Sequence, residues 1–255
     1  MDPPAGVGRE EMRTEFDLLK WFNQQHRQQR VDIASELDAR ISAYELAFRM
    51  QIKAPEVVDL SHETAATREL YGLDGKNTAI FARQCLLARR LVERGVRFTM
   101  LTHGGPGTGQ WDDHGNTRER MPRHAAEVDQ PVAALLQDLK QRGLLDETLV
   151  VWASEMGRTP FLSGGGEWDK LGRDHNQYGL CMWMAGGDVK GGSSVGETDE
   201  FGIASLGRTI HTRDVHATIL ELMGLDSERL TYAQSDVSRR LTTETGADVL
   251  KEIIA

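Results

Sequence analysis

Cysteine is scarce in this sequence: Cys85 and Cys181 are its two thiols, far apart and in no zinc or redox spacing. That excludes a disulfide scaffold and a zinc finger, and reads both as packed thiols. Long apolar runs are also missing. The longest are stretches such as residues 149–153 and 179–185, against the ~20 residues a membrane helix requires, so no membrane span is predicted. An excess of positive charge is lacking too: 30 Lys and Arg against 39 Asp and Glu leave a formal charge of −9. Such a balance repels phosphate backbones and excludes nucleic acid as a partner. The opening MDPPAGVGREEM has neither a basic stretch nor an apolar core that would direct export, and a cytoplasmic location is the expectation. A chain of 255 residues buries roughly three-quarters of its unfolded surface, so it folds without a structural metal, and any bound metal is functional.

What is present is a change of period along the chain. Residues 9–53 are charged and helix-favouring, with Phe16, Leu19 and Phe22, then Ile33, Leu37, Ile41, Tyr44 and Phe48 at helical intervals, which predicts two amphipathic helices. Residues 77–93 repeat the pattern between an Asn77 cap and Gly95. Residues 96–102 (VRFTMLT) alternate like a strand and enter the loop HGGPGTGQWDDHGN; residues 128–145 return to helix, with Pro131 as a kink or first-turn residue. The run TLVVWA reads as a strand covered on both faces and opens into SEMGRTP. After a polar, glycine-rich loop over 164–176 comes the strand-like GLCMWMAG, and DVHATILELM closes the pattern as a helix stopped by Gly224. Strands alternating with helices predict a helical N-terminal region, residues 1–76, followed by an α/β domain with a largely parallel sheet, residues 77–255. In such sheets ligands bind beyond the carboxyl ends of the strands.

Several polar residues fall at those predicted ends. Asp112 and His114 lie two apart, so in an extended segment both project to one side and can meet one ion; the alternative is an ordinary capped loop. Glu155 follows directly on TLVVWA, as a site carboxylate or as a salt-bridge partner of Arg158. His175 sits beside Asp174, which can orient its imidazole. His211, Asp214 and His216 form a third polar cluster, in which Asp214 is most economically a helix cap. Arg158 and Arg173 add positive charge to the same loops, favouring an anionic substrate once a metal is present. His26, His62 and His124 read as surface residues. The loop over 104–109 has neither a P-loop ending nor a dinucleotide register, which removes nucleotide binding.

Taken in order, WDDHGN, LLDETLVVWASEMGRTP, GRDHNQYGLCMWMAGGDVKGG and DVHATILELMGLD resemble the family catalogued as domain of unknown function 1501, a sulfatase-like family similar to the alkaline phosphatase superfamily. The resemblance spans residues 78–230. It implies an α/β/α sandwich whose metal site takes carboxylates and histidines from strand ends. By that resemblance Asp112 and His114 look like a ligand pair, Glu155 stands where the superfamily has an aspartate, and His175 looks like the following histidine ligand. Met156 occupies the neighbouring ligand position, which suits no hard cation, and Arg213 replaces a histidine. The sulfatase nucleophile motif C-x-P-x-R is absent: Cys85 has Arg89 at the right distance, but Leu87 stands in place of proline. Family chains are longer and begin with an export signal and a first strand, so the resemblance implies that this chain corresponds to a C-terminal half with an unpaired sheet edge, prone to oligomerise.

Two functions follow as expectations. One is a metal-dependent hydrolase of sulfate or phosphate esters. In it Asp112, His114, Glu155 and His175 hold a divalent cation, with zinc, manganese, calcium and magnesium not distinguished, and Arg158 and Arg173 neutralise a small anionic ester. The other is a non-catalytic binding or structural protein that retains the fold.

Overall fold

A computed structural model of the chain describes residues 8–29, 38–46, 56–104, 110–234, 237–242 and 246–255. The chain divides into two compact units, residues 1–63 and 64–255.

In the first unit, α1 (Arg9–Gln29) carries Glu10 and Glu11 in its first turn and His26 and Arg27 in its last, the arrangement a helix dipole favours. Residues 38–46 are again helical. Lys20 pairs with Glu45 at 2.9 Å and Arg27 with Asp38 at 2.8 Å, joining the two helices. The expected pair of amphipathic helices is therefore present in part; Ile33, Leu37 and Phe48 lie outside the described residues.

The second unit is built on three packed helices: α2 (Ala65–Tyr71), α3 (Ala79–Glu93) and α4 (Thr117–Gln141). Thr64 caps α2 by accepting from the Thr67 N–H, and Gly72 ends it at φ 72°, a conformation that suits glycine. The N-cap of α3 is Thr78, one residue after the expected Asn77, and the helix stops at Gly95, whose N–H donates to Val92 while that of Val96 donates to Leu91. Tyr71, Phe81, Cys85 and Leu86 are buried with Val128, Pro131, Leu135 and Leu139, forming the apolar core. An ionic network crosses it: Asp138 pairs with Arg89 at 3.0 Å and with Arg142 at 2.6 Å, and accepts a hydrogen bond from the Tyr71 hydroxyl at 3.0 Å. Cys85 is buried as expected, but Cys181 is exposed.

The strands overturn the expected α/β/α sandwich with a largely parallel sheet. Among the described residues every sheet is two-stranded and antiparallel. Strand β1 (Val150–Trp152) pairs with β4 (Trp183–Ala185), setting Trp152 opposite Trp183 with the rings stacked 6.2 Å apart. β2 (Gly157–Arg158) pairs with β3 (His175–Asn176), β5 (Glu197–Thr198) with β6 (Ser205–Leu206), and β7 (Thr231–Gln234) with β8 (Val237–Arg240). The physical reason is length and coverage. A parallel sheet needs strands of about five residues buried on both faces, whereas TLVVWA contributes three strand residues, all half-buried. Residues 96–102 form no strand, and Phe98 and Met100 are 73% and 76% exposed. An alternating pattern makes a strand only where a neighbour completes its hydrogen bonds. Helix α5 (Thr212–Leu222) lies where the sequence puts it; the Asp214 carboxylate caps it from inside, accepting the His211 N–H at 2.9 Å. No described helix is long and apolar enough to cross a membrane.

Candidate metal centre

Backbone pairing brings the site together. The N–H groups of Asn116 and Thr117 donate to the carbonyls of Lys170 and Leu171, and that of Arg173 donates to Asp113, so residues 170–173 lie along residues 113–117. Gly172 permits this approach: a Cβ there would stand 2.1 Å from the His114 carbonyl carbon and 2.3 Å from the Gly115 nitrogen. The chain then enters β3, which presents His175, and the β2–β3 register places Arg158 opposite it. Gly157 plays a like part, since its Cβ would fall 2.2 Å from the Gly179 carbonyl oxygen.

The result is a triangle of ligand-type atoms. His175 Nε2 lies 2.9 Å from Asp112 Oδ1, His114 Nε2 lies 3.0 Å from the same oxygen, and the two Nε2 atoms are 3.2 Å apart. Arg158 Nη2 donates to that oxygen as well, at 2.5 Å. One carboxylate oxygen offers about two lone-pair sites, so three nitrogens crowd it beyond what hydrogen bonding uses. Hydrogen bonds from His175 and then Arg158 hold the Asp112 carboxyl well below its ordinary value, at about 2, so it is ionised at neutral pH. Divalent cations held by nitrogen and oxygen at about 2.0–2.2 Å place adjacent ligands about 2.8–3.6 Å apart, from right-angle to tetrahedral geometry. All three sides of the triangle fall in that interval. Among the described residues, Asp112, His114 and His175 are the one group of three such side chains with every ligand atom within 4.8 Å of the others. Their side chains are 46%, 47% and 41% exposed, open to an incoming ion and substrate.

Of the other expected site residues, Arg158 bonds the triangle's carboxylate, and the Glu155 and Arg173 side chains do not join it. Glu155 lies on the turn between β1 and β2, exposed and outside the group. Arg158 spends its Nη atoms on Asp112, on the Trp111 carbonyl at 3.2 Å and on the Arg173 carbonyl at 3.1 Å, so it steadies the Asp112 carboxylate. The Arg173 side chain is exposed. Asp174 Oδ1 lies 3.7 Å from His114 Nδ1, too far for a hydrogen bond.

Behind the same segment is a second polar cluster that sequence reasoning missed. Trp111 and Asp113 face away from the triangle, Trp111 toward His103 and Asp113 toward Arg120 and His124. Trp111 Nε1 donates to His103 Nδ1 at 2.8 Å; indole nitrogen only donates, so the His103 proton sits on Nε2, facing Glu127 Oε2 at 3.1 Å. Burial pushes the His103 imidazole below its ordinary pKa, with Glu127 opposing. His124, expected at the surface, is 1% exposed, and neither ring nitrogen has a hydrogen-bond partner. It is surrounded because α4 begins at Thr117 rather than at Val128, and His124, four residues before Val128, lies on the face that also buries Val128, Pro131 and Leu135; its ring centroid is 5.2 Å from that of Trp111. An alternation reading extended through WDDHGN would have flagged Asp113 as the inward partner of whatever lay behind.

Comparison with curated proteins and with solved structures finds none that matches. A family profile described as "Protein of unknown function (DUF1501)" matches residues 1–254, and the chain belongs to that family.

Proposed function

We propose that this chain is a divalent-cation-dependent hydrolase of sulfate or phosphate esters, with Asp112, His114 and His175 as the cation's protein ligands. The single observation that carries the reading is the triangle of 2.9, 3.0 and 3.2 Å between their ligand atoms. The four motifs that resemble a sulfatase-like family favour the ester class. When bound, a divalent cation supplies Lewis-acid polarisation of an ester oxygen. Arg158 holds Asp112 in place for ligation, and Arg173 offers exposed donors to the non-bridging oxygens of the ester.

The test is turnover of an aryl phosphate and an aryl sulfate with added zinc, manganese, magnesium or calcium. The expected result is cation-dependent hydrolysis of one of them, inhibited by inorganic phosphate or sulfate, with KM raised in Arg173→Ala. No turnover of either ester with any of the four cations removes the hydrolase. A non-catalytic binding protein is then the second reading, and one observation favours it: among the described residues no hydroxyl or thiol is hydrogen-bonded to the three ligand atoms. Self-association belongs to the proposal as well, because Phe98 and Met100 form an exposed apolar row. Light scattering that gives a monodisperse monomer removes that part.

A further inference from the structure

On the reverse side of residues 111–114 lies a cleft of about 690 Å³, lined by residues of α3, of α4 and of the segments that precede them. That volume is in the range of small-molecule sites. We propose that this cleft binds a small organic anion, with an oxyanion head held by Lys76 and Arg123 and an apolar body against Ile80 and Phe81, at a site separate from the metal centre.

Charge sorting carries the first step. Glu127 Oε2 is committed to the inner wall, accepting from His103 Nε2 at 3.1 Å and from Gln110 Nε2 at 3.2 Å. Arg120 leans on Asp113 at 3.4 Å. Arg123 stays 3.9 Å from Glu127, beyond a hydrogen bond, with its side chain 61% exposed. Lys76 is exposed at the rim. The cleft is thus lined by Lys76, Arg120 and Arg123 against one carboxylate, Glu127, whose Oε2 is engaged by His103 and Gln110, an excess of positive charge that favours an anion.

His124 carries the second step. It lines the cleft and is 1% exposed, yet both its ring nitrogens lack a hydrogen-bond partner; the nearest carboxylates, Asp113 and Glu127, are each 3.7 Å away. Buried polar groups left unpaired are rare and costly, and a purely structural histidine would be satisfied by its neighbours. The ring lines the cleft, so a ligand that enters comes to lie against it. The apolar side is Ile80, 81% exposed, above Phe81, which is 5% exposed. An isoleucine so placed gains contact when an apolar body covers it.

The probe is phenylphosphonate, which carries the head and the body and has no ester to hydrolyse. Binding is measured by titration calorimetry, and its location by the histidine ring resonances in NMR. The expected result is a shift of the His124 ring, and affinity above that for inorganic phosphate or benzyl alcohol alone. Lys76→Gln with Arg123→Gln, both at exposed positions, should weaken binding about tenfold or more, the worth of a charge-assisted hydrogen bond. His114→Ala with His175→Ala should leave it unchanged, which separates this site from the metal centre. Unmoved His124 resonances, affinity indifferent to the Lys76 and Arg123 changes, or binding lost with His114 and His175 would each overturn the proposal.

Discussion

Replacing Gly172 by alanine tests whether backbone packing builds the metal centre. The new Cβ would stand 2.1 Å from the His114 carbonyl carbon, 2.3 Å from the Gly115 nitrogen and 2.4 Å from the Asp113 oxygen, all backbone atoms that no rotamer change can move aside. Ordinary contact begins at 3.4 Å, so the two segments must separate by 3.4 − 2.1 = 1.3 Å. That displacement exceeds what the bond from the Arg173 N–H to Asp113, already 3.2 Å, can absorb. His175 follows two residues after Arg173, so its imidazole moves away from Asp112 and His114. Overpacking of this kind costs about 1–3 kcal/mol, which for a unit of this size lowers Tm by roughly 2–12 °C. Loss of ligand alignment should weaken zinc binding about 10–100-fold. The assay is zinc titration by calorimetry beside a thermal melt. Gly165→Ala serves as the control, since its added Cβ meets nothing within 4 Å. Gly172→Ala that binds zinc as tightly as the parent chain would mean that the close approach at Gly172 does not align the ligands.

Three further outcomes are expected. Asp138→Ala withdraws a buried carboxylate from Arg89, whose side chain is 4% exposed, and from Tyr71 and Arg142; it should destabilise the second unit by about 3–5 kcal/mol, read from denaturant midpoints, and a loss under about 1 kcal/mol would deny the network its role. His103 should titrate below the ordinary histidine value, and Glu127→Gln should lower it further by removing the opposing charge. Because its folded pKa is depressed, its contribution to stability is present above the unfolded value of about 6.5 and is lost as pH falls toward the folded one; an NMR titration in which Glu127→Gln raises that pKa would contradict this. Metal bound at the triangle should be released as pH drops toward about 5, since imidazole ligands must be deprotonated; dialysis followed by elemental analysis at stepped pH checks it, and full retention at that pH would exclude histidine ligation.

The triangle was readable in the sequence because its signals are local. Asp112 and His114, two residues apart in WDDHGN, project to one side as their spacing suggests, here through a tight turn in which the His114 N–H donates to the Asp112 carbonyl at 3.0 Å, while Trp111 and Asp113 project to the other. That His175 joins them depends on Gly172 and on the pairing of residues 170–173 with 113–117, neither of which a spacing rule expresses. The helices were legible from periodicity and from Gly95, whereas the sheet was not. Apolar runs such as TLVVWA state that a segment is buried but not which neighbour it pairs with, and the partners lie far along the chain, as Trp152 opposite Trp183 illustrates. Glu155 fell outside the group because the turn after β1 carries it away into solvent. The burial of His124 follows once the helix is extended back from Val128 to Thr117, because His124 stands four residues before Val128 on the same buried face.

Asp112, His114 and His175 are proposed to hold one divalent cation together. The most direct measurement is the metal content, by elemental analysis, of chain purified without chelator and loaded with zinc or manganese, alone and with His114→Ala and His175→Ala combined. One equivalent of metal is expected in the parent chain and little in the double variant, whose fold is verified by an unchanged circular dichroism spectrum. One equivalent retained by the folded double variant would contradict the proposal.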